Sequence, residues 1–197
     1  LVADLLDAMK EDSSLPACLG PDIVALCDDV GLDAPKSLRA LRDRFEAFDQ
    51  IPHYDLPSDL DASLRHYQRE GINWLAFLRD LGMGALLADD MGLGKTLQTL
   101  CIIEGRTLVV APTSVIRNWV REANRFRPGL NVCLYHGPNR RLSPDADLVV
   151  TSYALMRLDA HVLTNERWRM AVLDEAQAIK NPKSQVTSAA MKLRADF

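Results

Sequence analysis

Apolar and polar positions change rhythm along this chain. In its first part they recur at helical spacing, around Ala3–Met9 and again at Leu38, Leu41, Phe45 and Phe48, with Arg39, Arg42, Asp43 and Glu46 on the opposite face. The second pattern is that of an amphipathic helix over Ser37–Phe48. Pro16, Gly20, Pro21, Gly31 and Pro35 separate the two. The stretch IPHYDLPSDLDAS that follows holds two prolines and several helix N-cap residues, which predicts a linker over 51–62 between a helical extension (1–50) and a main domain (63–197).

After Ala62 short apolar runs alternate with helical patterns, the sign of a parallel sheet covered by helices. The helical stretch Tyr67–Leu81 is expected to bury Trp74, Leu75, Leu78 and Leu81. Strands are predicted at 85–88 (ALLA), 108–111 (LVVA), 132–135 (VCLY), 148–150 (LVV) and 170–173 (MAVL). Helices are predicted over Thr96–Glu104, Ser114–Phe126, near Leu155, and in the last fifteen residues. The fold class is therefore α/β, with buried parallel strands.

With 197 residues, 48% of them apolar, the chain has ordinary globular composition and length enough to bury a real core without disulfides or a structural metal. Cys18, Cys27, Cys101 and Cys133 form no C-x-x-C pair and share no metal-ligand spacing with the histidines, so they read as small, reduced core residues. No apolar stretch approaches the ~20 residues a membrane span needs, and the start lacks a basic region followed by an apolar one. A cytoplasmic protein with no membrane partner is expected. The first residue is Leu1 rather than Met, which reads as a fragment or a trimmed sequence. Charge divides the chain: residues 1–60 carry 5 basic and 13 acidic side chains, net −8, and residues 61–197 carry 18 and 14, net +4. Fourteen of those 18 basic residues are arginine, the side chain suited to bidentate phosphate contact, although from charge alone a solvated surface is the preferred account. The acidic part either docks on the basic one in competition with nucleic acid or is a plain helical extension.

The strongest local signal is Asp89-Asp90-Met91-Gly92-Leu93-Gly94-Lys95-Thr96, lying between a predicted strand and a predicted helix. Glycines there let backbone N–H groups turn toward one anion, and the helix N-terminus adds partial positive charge. Lys95 is placed to reach the β/γ-phosphates of a nucleotide and the Thr96 hydroxyl to ligate Mg²⁺. The general pattern G-x-x-x-x-G-K-[ST] has glycine where this chain has Asp89. A second signal lies 79 residues beyond Lys95: the apolar run Met170–Leu173 ends directly in Asp174-Glu175-Ala176-Gln177. Carboxylates at the C-terminal end of a buried parallel strand meet ligand there. Asp174 is the candidate to hold the Mg²⁺ that Thr96 also touches, and Glu175 the candidate to orient and deprotonate the attacking water. Capping of the next helix is the simpler alternative for both.

In order and spacing, LRHYQREGINWL (64–75), DDMGLGKT (89–96), LVVAPTSVIRNWVREANRF (108–126), VVTSY (149–153) and VLDEAQAIKN (172–181) resemble the Swi/Snf-like ATPases of helicase superfamily two, in particular their bacterial members. In that family an acidic or small residue replaces the first loop glycine, as Asp89 does. The resemblance implies a RecA-like phosphate-loop lobe, with a mostly parallel sheet flanked by helices, that binds ATP and Mg²⁺ in a DNA-dependent ATPase acting on protein–DNA complexes. It implies that Gln68 reads the adenine edge, an amide offering one donor and one acceptor in a plane, with Arg65 and Tyr67 flanking the base; an exposed helix-start glutamine is the alternative for Gln68, and a core position the equal alternative for Tyr67. It further implies nucleic-acid contacts at Thr113 and Ser114 and at Thr151 and Ser152; N-capping is the alternative role for Ser114, and the same alternative stands for Thr151 and Ser152. Gln177 stands where many relatives carry histidine, in the position that couples the γ-phosphate to the nucleic acid; an amide there bridges but does not titrate. Trp119 falls on the apolar stripe Val115, Ile116, Trp119, Val120, Ala123, hence core, while Arg117, Arg121 and Arg125 share another face that suits either a DNA backbone or solvent.

A motor of this family works with two RecA-like lobes, the second supplying arginines to the transferring phosphoryl group. No second lobe is expected within these residues, so residues 1–197 are expected to bind nucleotide and to hydrolyse it poorly, such arginines being worth about 10³–10⁵ in rate. The partners implied are double-stranded DNA, the second lobe, and RNA polymerase or another DNA-bound protein, with a location at the bacterial nucleoid. Three rival readings stand beside this one: a relative directed to RNA or RNA polymerase, a module that holds ATP without turnover, and a small-molecule kinase, which leaves the segment around Gln68 unexplained.

Overall fold

The computed structural model describes residues 20–29, 31, 33–36, 39–40, 42–43, 51–90 and 92–197. The expected helix over Ala3–Met9, most of that over Ser37–Phe48, Cys18 and Met91 lie outside them. The chain forms two compact units, Leu1–His53 with Phe77–Ala85, and Tyr54–Ala76 with Leu86–Phe197.

In the first unit, helix α1 (Gly20–Asp29) occupies a stretch that the sequence presents as a Pro/Gly separator. The correction has a local cause: proline lacks the N–H that a first turn leaves unsatisfied anyway, so Pro21 starts a helix rather than breaking one. Just beyond its end, Gly31 takes φ 70°, the left-handed conformation typical of a helix C-terminus. Ile23, Val24, Ala34, Phe77, Leu78 and Leu81 are the buried apolar residues of this unit. Lys36, Arg39, Ala40, Arg42 and Asp43 are helical, and Arg42 pairs with Asp28 at 2.7 Å.

The second unit is built on a four-stranded parallel sheet. Its strands are β1 (Thr107–Ala111), β2 (Val132–Leu134), β3 (Leu148–Ser152) and β5 (Met170–Leu173), in the spatial order β2-β3-β1-β5. Thr107 faces both Leu148 and Met170 across the ladders. β1 and β3 are buried along their whole length because both sheet faces are covered, which is why they read as unbroken apolar runs. Alternation divides them: Val109, Ala111, Leu148 and Val150 join a cluster with Ile72, Leu75, Leu100, Ile116 and Trp119, whereas Leu108, Val110 and Val149 join Tyr153, Met156, Leu163 and Trp168. The covering helices are α2 (His66–Asp80), α3 (Lys95–Cys101), α4 (Ile116–Phe126), α5 (Tyr153–Leu158), α6 (Ala160–Leu163) and α7 (Gln185–Ala190). A two-stranded parallel pair, β4 (Arg167–Trp168) with β6 (Arg194–Ala195), was not anticipated by any apolar run.

Two expectations fail here. Residues 85–88 form no strand; Leu86 is 81% exposed. An isolated apolar run has no ladder to join, and among the described residues the free edge of β5 meets only Phe197, whose carbonyl accepts from Ala171 N–H at 2.8 Å. Trp74 is 41% exposed rather than core, since the inward stripe of α2 runs through Gln68, Ile72, Leu75 and Ala76, to which position 74 does not belong.

The stretch 51–62 has no regular element apart from a turn, yet Tyr54, Leu56, Leu60 and Ala62 pack on the core. Asp59 fastens it: Oδ1 accepts from Arg127 Nε at 2.8 Å and Oδ2 from Gly129 N–H at 3.1 Å, while Arg127 Nη1 reaches Leu100 O at 2.5 Å. Cys101 is buried and free, and burial pushes its thiol up to about 11. Among the described residues no helix is long and apolar enough to cross a membrane, and no cluster of three His, Cys, Asp or Glu is placed to hold a metal by itself.

Candidate functional site

Parallel strands in register deliver their C-terminal ends to one edge of the sheet. Ala111 lies opposite Ser152, and Val110 opposite Leu173, so the segments starting at Pro112, Tyr153 and Asp174 leave the sheet together. This is the edge at which open α/β sheets bind ligands.

Asp174 extends the ladder by one residue, its N–H donating to Val110 O at 2.9 Å. Its carbonyl accepts from Tyr153 OH at 2.8 Å and its Oδ2 from Trp119 Nε1 at 2.8 Å. Oδ1 has no partner among the described residues. Burial, with Asp174 and Glu175 nearby, pushes the Tyr153 phenol far above its ordinary value, so it remains a donor at neutral pH. Glu175 takes φ 52°, the single positive φ among described non-glycine residues, and its Oε2 accepts from Gln177 Nε2 at 2.6 Å. A left-handed glutamate is strained by roughly 1–2 kcal/mol. Strain of this kind concentrates at functional sites.

The glycine loop runs outside the sheet. Gly92 and Gly94 adopt φ 84° and 82°, which residues with a Cβ resist. Gly94 precedes α3, whose first N–H groups, at Lys95, Thr96 and Leu97, have no acceptor among the described residues. The Thr96 hydroxyl is likewise unpartnered. Lys95 Nζ donates to the carbonyls of Asp89 at 2.7 Å and Asp90 at 3.1 Å. Gln68 is buried and engaged at both ends, Nε2 to Leu93 O at 3.1 Å and Oε1 from Arg65 N–H at 3.0 Å. Gln98, 0% exposed, donates to Asp89 Oδ2 at 2.9 Å. A Cβ on Gly71 would lie 2.0 Å from Gln98 Oε1, so that helical glycine is what admits the amide.

The remaining expected residues fall into two sets. Thr113 and Ser114 are exposed with hydroxyls unpartnered among the described residues, and the N-cap of α4 is Val115, so Ser114 does not cap it. Thr151 and Ser152 are buried, and their hydroxyls are engaged: Thr151 Oγ1 donates to Tyr135 O at 3.0 Å, and Ser152 Oγ accepts from Leu155 N–H at 3.3 Å. Both bonds hold the end of β3, and Ser152 caps α5, the alternative role left open for these hydroxyls. Arg117, Arg121 and Arg125 are exposed along α4. No hydrogen bond or ion pair joins Lys95 or Thr96 to Asp174 or Glu175 among the described residues.

Sequence reasoning places Trp119 in the core but not against Asp174, and it leaves Tyr153 and Gln98 without roles. For Trp119 one signal was available: a buried indole N–H nearly always finds an acceptor.

A parallel α/β sheet with an acidic pair at one strand end and a left-handed glycine turn before Lys-Thr defines the nucleotide-binding class of P-loop proteins. Residues 67–196 match the SNF2-related domain model, and the chain belongs to that family, as a Swi/Snf-like member of helicase superfamily two. Over 181 residues it is 41% identical to the putative ATP-dependent helicase/translocase YwqA of Bacillus subtilis, a match covering 84% of this chain and 20% of that protein. It is 36% identical to the TATA-binding protein-associated factor MOT1 of Saccharomyces cerevisiae over 211 residues, 90% of this chain and 11% of that one. The solved Sulfolobus solfataricus SWI2/SNF2 ATPase core in complex with dsDNA superposes with a TM-score of 0.70 at 35% identity, over 74% of this chain and 33% of that one. The chain thus spans about a fifth of the length of YwqA and a third of that ATPase core.

Proposed function

We propose that this chain is the Mg·ATP-binding lobe of a double-stranded-DNA-dependent ATPase that translocates on DNA and remodels protein–DNA complexes, working with a second RecA-like lobe. The observation that carries the reading is the delivery of Asp174 and Glu175 by an in-register parallel strand to the sheet edge where Thr113 and Ser114 stand exposed. The names of the Bacillus and Sulfolobus relatives, a helicase/translocase and an ATPase core with dsDNA, support it.

The donor set suits Mg²⁺ brought in with a nucleotide. Thr96 Oγ1 and Asp174 Oδ1 are hard oxygens without partners among the described residues, and Mg²⁺ is typically held by one or two protein ligands plus substrate phosphates and water. Bound there, the ion polarises the phosphoryl oxygens as a Lewis acid. The protein does the rest. The amides of the loop Asp89–Thr96 cradle the phosphates, and Lys95 exchanges its two loop carbonyls for phosphate oxygens. Gln68 exchanges its bond to Leu93 O for the adenine edge. Glu175 orients the attacking water and takes its proton, while Gln177 holds the Glu175 carboxylate on the side of the nucleic acid. Thr113 and Ser114 meet a DNA phosphate.

The test is fluorescent ATP binding to the chain with and without DNA. Wild type is expected to bind in the presence of Mg²⁺ and Lys95→Ala to lose most of that affinity; equal binding by the two overturns the reading. In a longer chain that carries the second lobe, Glu175→Gln is expected to retain ATP that wild type hydrolyses, which separates a hydrolase from a passive holder.

A further inference from the structure

Asp174 is held at more points than its place on a strand requires. The ladder bond from its N–H to Val110 O and the phenol of Tyr153 on its carbonyl fix the backbone on both sides. Only the two side-chain torsions remain, and the Trp119 indole N–H on Oδ2, at 2.8 Å, removes that freedom. Trp119 cannot itself move far: it is 3% exposed and packs in one cluster with Val109, Ala111, Ile116 and Ala123. A buried indole N–H could be satisfied by a nearby carbonyl; here its acceptor is a carboxylate 55 residues away in sequence. Such a charge-assisted bond is shorter and stronger than a neutral one.

We infer that Trp119 is a positioning residue for the cation-holding carboxylate: its N–H anchors Oδ2 and leaves Oδ1 as the oxygen offered to a divalent cation. This rests on the Mg·nucleotide reading above. It assigns to a residue of the α4 core stripe the outer-shell role that orients metal ligands in general, whose loss typically weakens metal affinity by about 10–100-fold. The geometry also makes the contact specific to tryptophan, since phenylalanine fills much of the same apolar space and carries no donor.

The experiment titrates the full 197-residue chain with fluorescent ADP, first in EDTA and then at rising Mg²⁺. For Trp119→Phe the expected result is unchanged ADP affinity in EDTA and a Mg²⁺ half-saturation raised about tenfold, with Asp174→Asn as the reference that loses the Mg²⁺ response. In parallel, the Trp119 indole N–H signal, one of three in the ¹⁵N-labelled chain and assigned by its loss in Trp119→Phe, is expected to shift in Asp174→Asn. An unchanged Mg²⁺ half-saturation in Trp119→Phe overturns the inference while the nucleotide reading survives. If Trp119→Phe fails to fold, the wild-type signals decide, with the Trp119 resonance recognised as the one Asp174→Asn displaces: its shift on adding Mg²⁺ and ADP together supports the inference, and no shift overturns it. A wild-type chain that binds no ADP under any condition overturns the nucleotide reading itself, and the inference with it.

Discussion

The two halves of the candidate site are built in opposite ways. Asp174 stands at the end of a sheet strand with its backbone N–H, its carbonyl and one carboxylate oxygen all engaged by the core. Among its described residues the loop Asp89–Lys95 has no ladder and is tied by side chains: Gln68 to Leu93 O, Gln98 to Asp89, and Lys95 to two carbonyls of the loop itself. The lesson concerns division of labour. A cation ligand gains from being held still, whereas a loop that must close around phosphates gains from bonds that an anion can replace one for one.

The comparison breaks hardest at its shared scaffold. Arg127→Ala leaves Asp59 half-buried without its cation, and a loss of roughly 1–3 kcal/mol in a urea melt is expected. Lys95→Ala acts on the loop alone: nucleotide affinity is expected to fall about 10–100-fold, with the melting midpoint little changed. Gly71→Ala drives a methyl into Gln98 and frees Asp89; it is expected to cost about 1–3 kcal/mol and to leave the Trp119 indole resonance in place. If that resonance moves instead, the two halves are one unit and the contrast is lost. Glu175→Gly relieves the left-handed strain and is expected to raise stability by about 1 kcal/mol in denaturant melts while removing turnover in a longer chain that carries the second lobe, a sign reversal that would locate the strain at the reaction centre.

The smallest effect lies away from both halves and serves as a control on acid sensitivity. Hydrogen bonds from Arg140, the larger cause, and from Tyr135 hold the Asp159 carboxyl below its ordinary value. A depressed carboxylate contributes stability that is fully present above its unfolded pKa, about 3.9, and disappears as pH falls through the lower folded value. Asp159→Asn is therefore expected to flatten the acid limb of a stability-versus-pH curve below about pH 4 without touching nucleotide binding.

Much of this was legible along the chain, for a physical reason that differs by feature. The runs at 108–111, 148–150 and 170–173 announce strands because a strand covered on both faces must be apolar at every position. The pieces from LRHYQREG to DEAQAIKN announce the family because their chemistry is written in contiguous residues. Helix α1 was hidden by Pro21, whose meaning depends on whether it opens a turn or interrupts one. The hydrogen-bond partners of Thr151 and Ser152 were hidden because a hydroxyl at a strand end reads the same whether it faces solvent or a neighbouring backbone group.

The sequence by itself determined the four strands of the main sheet, the order of the motifs and the family to which the chain belongs, since apolar runs and motif chemistry are local properties. Only the tertiary structure decided that 85–88 stays out of the sheet, that Gln98 shares space with Gly71, and that Trp119 reaches Asp174. Each of these depends on a hydrogen-bonding or steric partner far along the chain, and such a partner exists only once the core has closed.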